Sequence, residues 1–266
     1  MAAARTVRLH HTDEGGAGVA AGAGALVFIH GWLRSGADWA PQARAFRRRH
    51  RVLRVDLRGH GRSPAPPAGY SRAELANDVA ALLRRLRLSN AVLVAHSMGC
   101  GVALDVAALE PRRVRALALV DGVGPRDHRF TRRELDAHPW VRAIAGPDYE
   151  ARVIALASGG NAFTERSDPR LVRRIPRESA RTPQHVAVAS LRDAVLGSYP
   201  AAAWKRLRQP ILYVASSSGR TSATTVREVL PRAEFAQVVG AGHWVQLEAT
   251  AQLNAMLRAF LRGLAS

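Results

Sequence analysis

The stretch Ala91-Val92-Leu93-Val94-Ala95-His96-Ser97-Met98-Gly99 decides the fold. Five apolar residues, Ala91–Ala95, read as a buried strand, and Met98–Leu109 carries helical spacing, so the chain must turn sharply at Ser97. In a turn that tight the residues two before and two after the serine must be small, and Ala95 and Gly99 are. Ser97 is thereby expected in a strained backbone with its hydroxyl raised above the sheet, as in the elbow that carries a nucleophile. The Met98 N–H, at the start of the helix, points where an oxyanion would develop. Position 95 is the one departure, alanine where glycine is commoner.

Outward from this elbow, two periodicities alternate. Short apolar runs predict strands at Ala25–His30, Arg51–Asp56, Val114–Val120, Ile211–Ala215 and Phe235–Val239, with Thr6–Thr12 as an edge strand. Helical spacing predicts helices at Asp38–Arg48, Arg72–Leu86 and Thr250–Leu261, and Gly15–Gly24 reads as a flexible turn. Alternation of this kind makes βαβ crossovers, so the fold class is α/β with a mostly parallel sheet flanked by helices. The pattern breaks between Gly122 and Leu207, where arginine- and proline-rich sequence holds short helical pieces at Tyr149–Ala157, Leu171–Ile175 and Gln184–Leu196. That length exceeds any simple loop. The expected organisation is a core of residues 1–123 and 206–266, with a helical cap at 124–205 inserted between two core strands.

Two further motifs sit at strand ends. His30-Gly31-Trp32 follows the first central strand, and Gly31 lets backbone approach a ligand closely. Gly240-Ala241-Gly242-His243-Trp244 lies between the last strand and the last helix, which places His243 as a general base. His30, His96, Trp39, Trp140, Trp204 and Trp244 are candidate pocket residues. Asp56, Arg58 and His60 belong to a turn read as structural, and Cys100 as a small packing residue. No metal-ligand spacing and no phosphate-binding glycine loop occurs, so neither metal nor cofactor is expected.

Composition narrows the class. The 266 residues carry 39 Lys+Arg against 21 Asp+Glu, a net charge of +18, and Lys205 is the only lysine. The arginines are dispersed, aromatic residues make up only 6%, and no nucleic-acid motif accompanies them, so a solvated surface is expected rather than a nucleic-acid interface. No apolar run reaches the roughly 20 residues of a membrane span. A single cysteine and no recognisable secretory leader fit the cytoplasm.

Together these residues resemble the αβ-hydrolase fold superfamily over about residues 25–121 and 205–265. The resemblance implies that the loop after the first central strand brings the Trp32 N–H beside that of Met98 as a two-donor oxyanion hole. It also implies a Ser97–acid–His243 triad, with the acid normally following the strand after the cap. Here that strand ends in Ser216-Ser217-Ser218-Gly219-Arg220-Thr221, without a carboxylate. Asp121, 24 residues after Ser97 at the end of the next strand, is the replacement, as in pancreatic-type lipases and some haloalkane dehalogenases; Asp127 is the reserve, and Asp105 should face away.

Three functions follow from the resemblance. The first is a serine hydrolase acting on a carboxylic ester or thioester of a small molecule. In the second, His243–Asp121 serves as a base without acyl-enzyme chemistry, as in the cofactor-independent dioxygenases of this fold, or in a lyase or cyclase. The third is a catalytically inactive small-molecule receptor. Arg126, Arg129, Arg132 and Arg133 at the cap entry raise an anionic substrate, or one borne on an acidic carrier protein; the oligomeric state is unknown.

Overall fold

A computed structural model describes residues 6–15, 24–122, 130–197, 201–219 and 221–264. One seven-stranded sheet organises them: β1 (His11–Glu14), β2 (Leu26–Ile29), β3 (Val52–Val55), β4 (Ala91–His96), β5 (Val114–Val120), β6 (Ile211–Ala215) and β7 (Ala233–Gln237). Their spatial order is β1-β3-β2-β4-β5-β6-β7, with only β1 antiparallel. Successive side chains of a strand point to opposite faces. Val27 and Ile29 therefore enter one apolar core while Leu26 and Phe28 enter the other. Helices α2 (Arg72–Arg85), α3 (Met98–Leu109) and α10 (Ala223–Val229) cover the first face; α1 (Ala40–Phe46), α11 (Val245–Glu248) and α12 (Thr250–Gly263) cover the second. Each fully buried Leu, Ile or Phe contributes about 1.5–3 kcal/mol, which is why four-residue strands suffice at the centre.

Three expected elements shift. β1 begins at His11 rather than Thr6, because Asp13 and Glu14 pair with Arg51 and Arg54 across the edge and set the register. β7 begins at Ala233 and stops short of Val239, which lies exposed beyond it. The first helix divides into a 3₁₀ turn at Gly36–Trp39 and then α1, with Pro41 in the opening turn. Most of the expected Gly15–Gly24 turn lies outside the described residues.

Between β5 and β6 run α4 (Arg132–Ala137), α5 (Pro139–Ala145), α6 (Tyr149–Ser158), α7 (Pro169–Ser179), α8 (Gln184–Ser190), a π-helical stretch at Leu191–Val195, and α9 (Ala201–Lys205). α4, α5 and α9 were not anticipated, although Thr131 and Glu134 form a capping box at the start of α4. α7 continues past Pro176 because Ile175, Pro176 and Ser179 are buried there. These helices have an apolar cluster of their own, built on Leu135, Val141, Ile144, Val153, Ala187, Leu191 and Leu196. α9 differs, since Trp204 packs into the sheet-face core. Among the described residues no helix is long and apolar enough to cross a membrane.

Candidate active site

Ser97 stands between β4 and α3 at φ 52°, ψ −121°, a conformation that side chains rarely adopt. The crowding around it explains the small neighbours. A Cβ at Gly99 would lie 2.5 Å from the His30 carbonyl oxygen, and one at Gly31 would lie 3.0 Å from Ser97 Cβ. The Met98 N–H, first in α3, has no intrahelical acceptor.

His243 Nε2 lies 3.0 Å from Ser97 Oγ, and its Nδ1 lies 2.7 Å from Asp121 Oδ2. Asp121 ends β5 at φ 43°, with its own N–H donating to the Val214 carbonyl, so β6 holds its backbone while its side chain turns to the histidine. Its Oδ1 accepts from the Ser216 N–H at 2.9 Å. Burial alone would raise this carboxyl; the bond to His243, that residue's charge and the Ser216 N–H outweigh it and hold Asp121 below the ordinary carboxylate value.

The histidine loop is fastened from three sides. The His243 N–H donates to the Asn161 and Ala162 carbonyls, each at 3.0 Å, and the Gly242 N–H donates to Glu248. Ser167 donates to the same Glu248 carboxylate. Beneath, the His96 ring packs against that of His243, tilted by 46° with centroids 4.6 Å apart, and its Nε2–H donates to the His243 carbonyl at 2.8 Å. Burial, then the nearby His243, depresses the His96 pKa, so His96 is a neutral prop rather than a second base. Gln246 reaches its other nitrogen at 3.4 Å. Sequence reasoning missed Gln246 and Glu248; both follow His243 within five residues, but only the short helix α11 turns them back under it.

A cavity of about 300 Å³ opens above Ser97. Trp32, Trp140, Trp244, Leu33, Leu156 and Val195 form its apolar walls, and His96 contributes to its floor. Among the described lining residues there is no lysine, arginine or glutamate. Trp140 is half exposed at this cavity, and Trp244 is buried.

Three candidate pocket residues lie elsewhere. His30 is fully buried behind the loop, donating from Nδ1 to the Gly31 carbonyl and accepting the Leu57 N–H at Nε2. Trp204 bonds Asp105 at 2.7 Å on the outer side of α3, under Arg72. Trp39 is likewise core, packed on Phe28. Asp105 does face away from the site. Asp56 accepts the Gly36 and Arg62 N–H groups, Arg58 pairs with Asp78 in the core, and His60 is buried beside His30. Cys100 is buried, its thiol directed at the Ala95 carbonyl. Asp127, Arg126 and Arg129 lie outside the described residues. Of the other two arginines at the cap entry, Arg133 is exposed and Arg132 pairs with Asp136 and Asp193. Among the described residues no group of three or more His, Cys, Asp or Glu is placed to hold a metal ion.

A family model described as alpha/beta hydrolase fold matches residues 24–250, and the chain belongs to that family of enzymes. It is 46% identical over 102 residues to a non-heme chloroperoxidase of Streptomyces lividans, a match covering 38% of this chain and 37% of the relative. To the 2-(acetamidomethylene)succinate hydrolase of Mesorhizobium japonicum it is 37% identical over 130 residues, 49% of this chain and 41% of the relative. The chain thus spans less than half the length of either relative. Its fold is similar to that of an esterase from Thermogutta terrifontis, with a TM-score of 0.82 at 22% identity over 97% of this chain and 94% of that one.

Proposed function

We propose that the protein is a serine hydrolase that cleaves a carboxylic ester or thioester of a small molecule. The observation that carries this reading is the unbroken chain Ser97 Oγ–His243–Asp121, at 3.0 and 2.7 Å. Ser97 Oγ attacks the carbonyl carbon while its proton passes to His243 Nε2. The tetrahedral oxyanion is held by the Trp32 and Met98 N–H groups. His243 then gives the proton to the leaving oxygen or sulfur as the C–O or C–S bond breaks. Water, deprotonated by the same nitrogen, attacks the acyl carbon; the bond to Ser97 Oγ then breaks, the proton passes from His243 Nε2 to that oxygen, and the acid leaves. Asp121 keeps Nδ1 protonated and stabilises the imidazolium throughout. The described lining residues, largely apolar and without a lysine or arginine among them, support an uncharged acyl group.

The experiment is labelling with a fluorophosphonate, read by intact mass and peptide mapping, alongside turnover of short-chain esters. Labelling confined to Ser97, together with loss of turnover in Ser97→Ala, is expected. The competing reading, in which His243–Asp121 only removes a proton from a carbon or oxygen acid, is favoured by the acid's place at the end of β5. It requires Ser97→Ala to stay active while His243→Ala is dead. A folded protein that binds ligands but neither labels nor turns over would be the receptor.

A further inference from the structure

We infer that the cap helices set the geometry of the oxyanion hole, with Ser190 as a positioning residue, because the three residues after Gly31 are fastened to the cap. The inference rests on the hydrolase reading above. It starts from three neighbouring side chains. The Trp32 indole N–H donates to the Ala187 carbonyl at 3.2 Å and to Ser190 Oγ at 3.1 Å, at the end of α8. Leu33 is 3% exposed and closes the cap's own apolar cluster against Leu135, Ile144 and Leu191. The Arg34 guanidinium donates to the Ile175 carbonyl at 3.0 Å, to Ser179 Oγ at 3.3 Å and to Glu178 at 2.8 Å, all on α7.

The backbone of this loop needs such support. Leu33 sits at φ 59°, a left-handed conformation unfavourable for a bulky residue without outside packing. The packing comes from the cap. Arg34 is also chelated by Asp38 at 2.7 and 2.8 Å, and its guanidinium lies 5.5 Å from the centre of the Trp244 ring, beside His243. The cap's Asn161 and Ala162 carbonyls hold the His243 N–H as well. One body therefore grips the loop that presents the Trp32 N–H and the loop that presents the base. The π-helical stretch directly after Ser190 adds a wide turn that brings Val195 to the cavity, as such turns often do at functional sites.

The consequence is a specific kinetic signature. Loosening the grip moves an N–H that matters only when charge develops on the carbonyl oxygen, so turnover falls while substrate binding holds. Trp32→Phe removes the indole N–H but keeps the backbone donor and most of the apolar body. Ser190→Ala removes one acceptor without touching the cavity. Glu178→Gln, at a partly exposed carboxylate, weakens the grip at α7 independently and is least able to impair folding.

The experiment measures kcat, KM and the rate of fluorophosphonate labelling at Ser97 in wild type, the three variants and the Trp32→Phe/Ser190→Ala double variant. Hydrogen exchange across residues 131–196 reads the cap. The expected result is a fall in kcat and labelling rate of about three- to tenfold, with KM within about twofold in Ser190→Ala and Glu178→Gln, whose side chains do not line the cavity. The double variant should be no slower than Trp32→Phe alone, since the indole contact that Ser190→Ala removes is already lost in Trp32→Phe. Unchanged kcat and labelling in variants whose cap exchanges faster would overturn the inference and leave the hydrolase reading standing. A wild type that does not label, with an active Ser97→Ala, removes that reading and this inference together.

Discussion

The Asp121 carboxylate occupies the space above Gly219: a Cβ at position 219 would lie 3.0 Å from Asp121 Oδ1 and 2.8 Å from Ser216 Oγ. An acid after β6 and an acid after β5 thus compete for one place beside His243, and glycine at 219 clears it for Asp121. Asp121→Asn should keep the fold and lower kcat by about 10⁴, the scale of a wrong histidine tautomer. Gly219→Asp alone should also slow the enzyme, by crowding two carboxylates. The double variant Asp121→Gly/Gly219→Asp should recover part of the activity lost in Asp121→Asn. Steady-state turnover of all three decides this, and a double variant as slow as Asp121→Asn would show that the two positions are not interchangeable.

Gly31 offers a second test. Its Cβ would press on His96 Nδ1 at 2.9 Å and on Ser97 Cβ at 3.0 Å; the His96 ring is bonded to the His243 carbonyl and the Ser97 N–H to the Val120 carbonyl, so the loop rather than the elbow must yield. Gly31→Ala should displace the Trp32 N–H and lower kcat by about 10²-fold, close to the loss of one oxyanion donor. Circular dichroism should report an intact fold. Full activity would mean that the loop shifts without consequence for catalysis.

Acid should unfold the protein early, through buried neutral histidines. Burial, with a contribution from His30, lowers His60 to about 3 from its ordinary 6.5, and His96 is depressed by burial and by His243. Between those values the unfolded chain binds protons that the folded one does not, so stability is lost as pH falls from about 6.5. Each such histidine contributes a slope of about 1.4 kcal/mol per pH unit. Asp121 acts lower down: its folded pKa is depressed, so its contribution is present above the ordinary carboxylate value and disappears as pH falls through the folded one. Urea midpoints at pH 7 and pH 5 should separate more in the wild type than in His60→Gln; equal separation would remove His60 from the account.

The tryptophans should divide by place. Trp140 is 49% exposed at the cavity, so Trp140→Ala should raise KM several-fold and leave the melting temperature nearly unchanged. Trp204 is 4% exposed in the sheet-face core. Trp204→Ala should cost about 3–5 kcal/mol of stability while kcat of the remaining folded protein holds. Paired thermal melts and kinetics test both, and a reversed pattern would exchange the two assignments.

Much of this molecule is local in origin. The elbow at Ser97 needs only a strand, small neighbours and a helix start, all readable over nine residues, and the alternation of apolar runs with helical spacing fixes a parallel sheet. Ser97, His243 and Asp121 were recognisable as strand-end residues because a parallel sheet collects such ends along one edge. What the sequence did not disclose depends on contacts between distant segments. Trp140 and Trp204 look alike in sequence, yet α5 brings one to the cavity and α9 buries the other behind α3. His30 and His96 each precede a site residue, but both ring nitrogens of His30 are committed to backbone groups, and those of His96 to the His243 carbonyl and the Gln246 side chain. The grip of Ser190, Glu178 and the Ala162 carbonyl on the two active-site loops has no local signature, because hydrogen bonds across about 80 to 160 residues leave no period in the chain. Sequence by itself determined the sheet and which residues stand at its edge; tertiary packing alone decided which side chains surround them and what holds them in place.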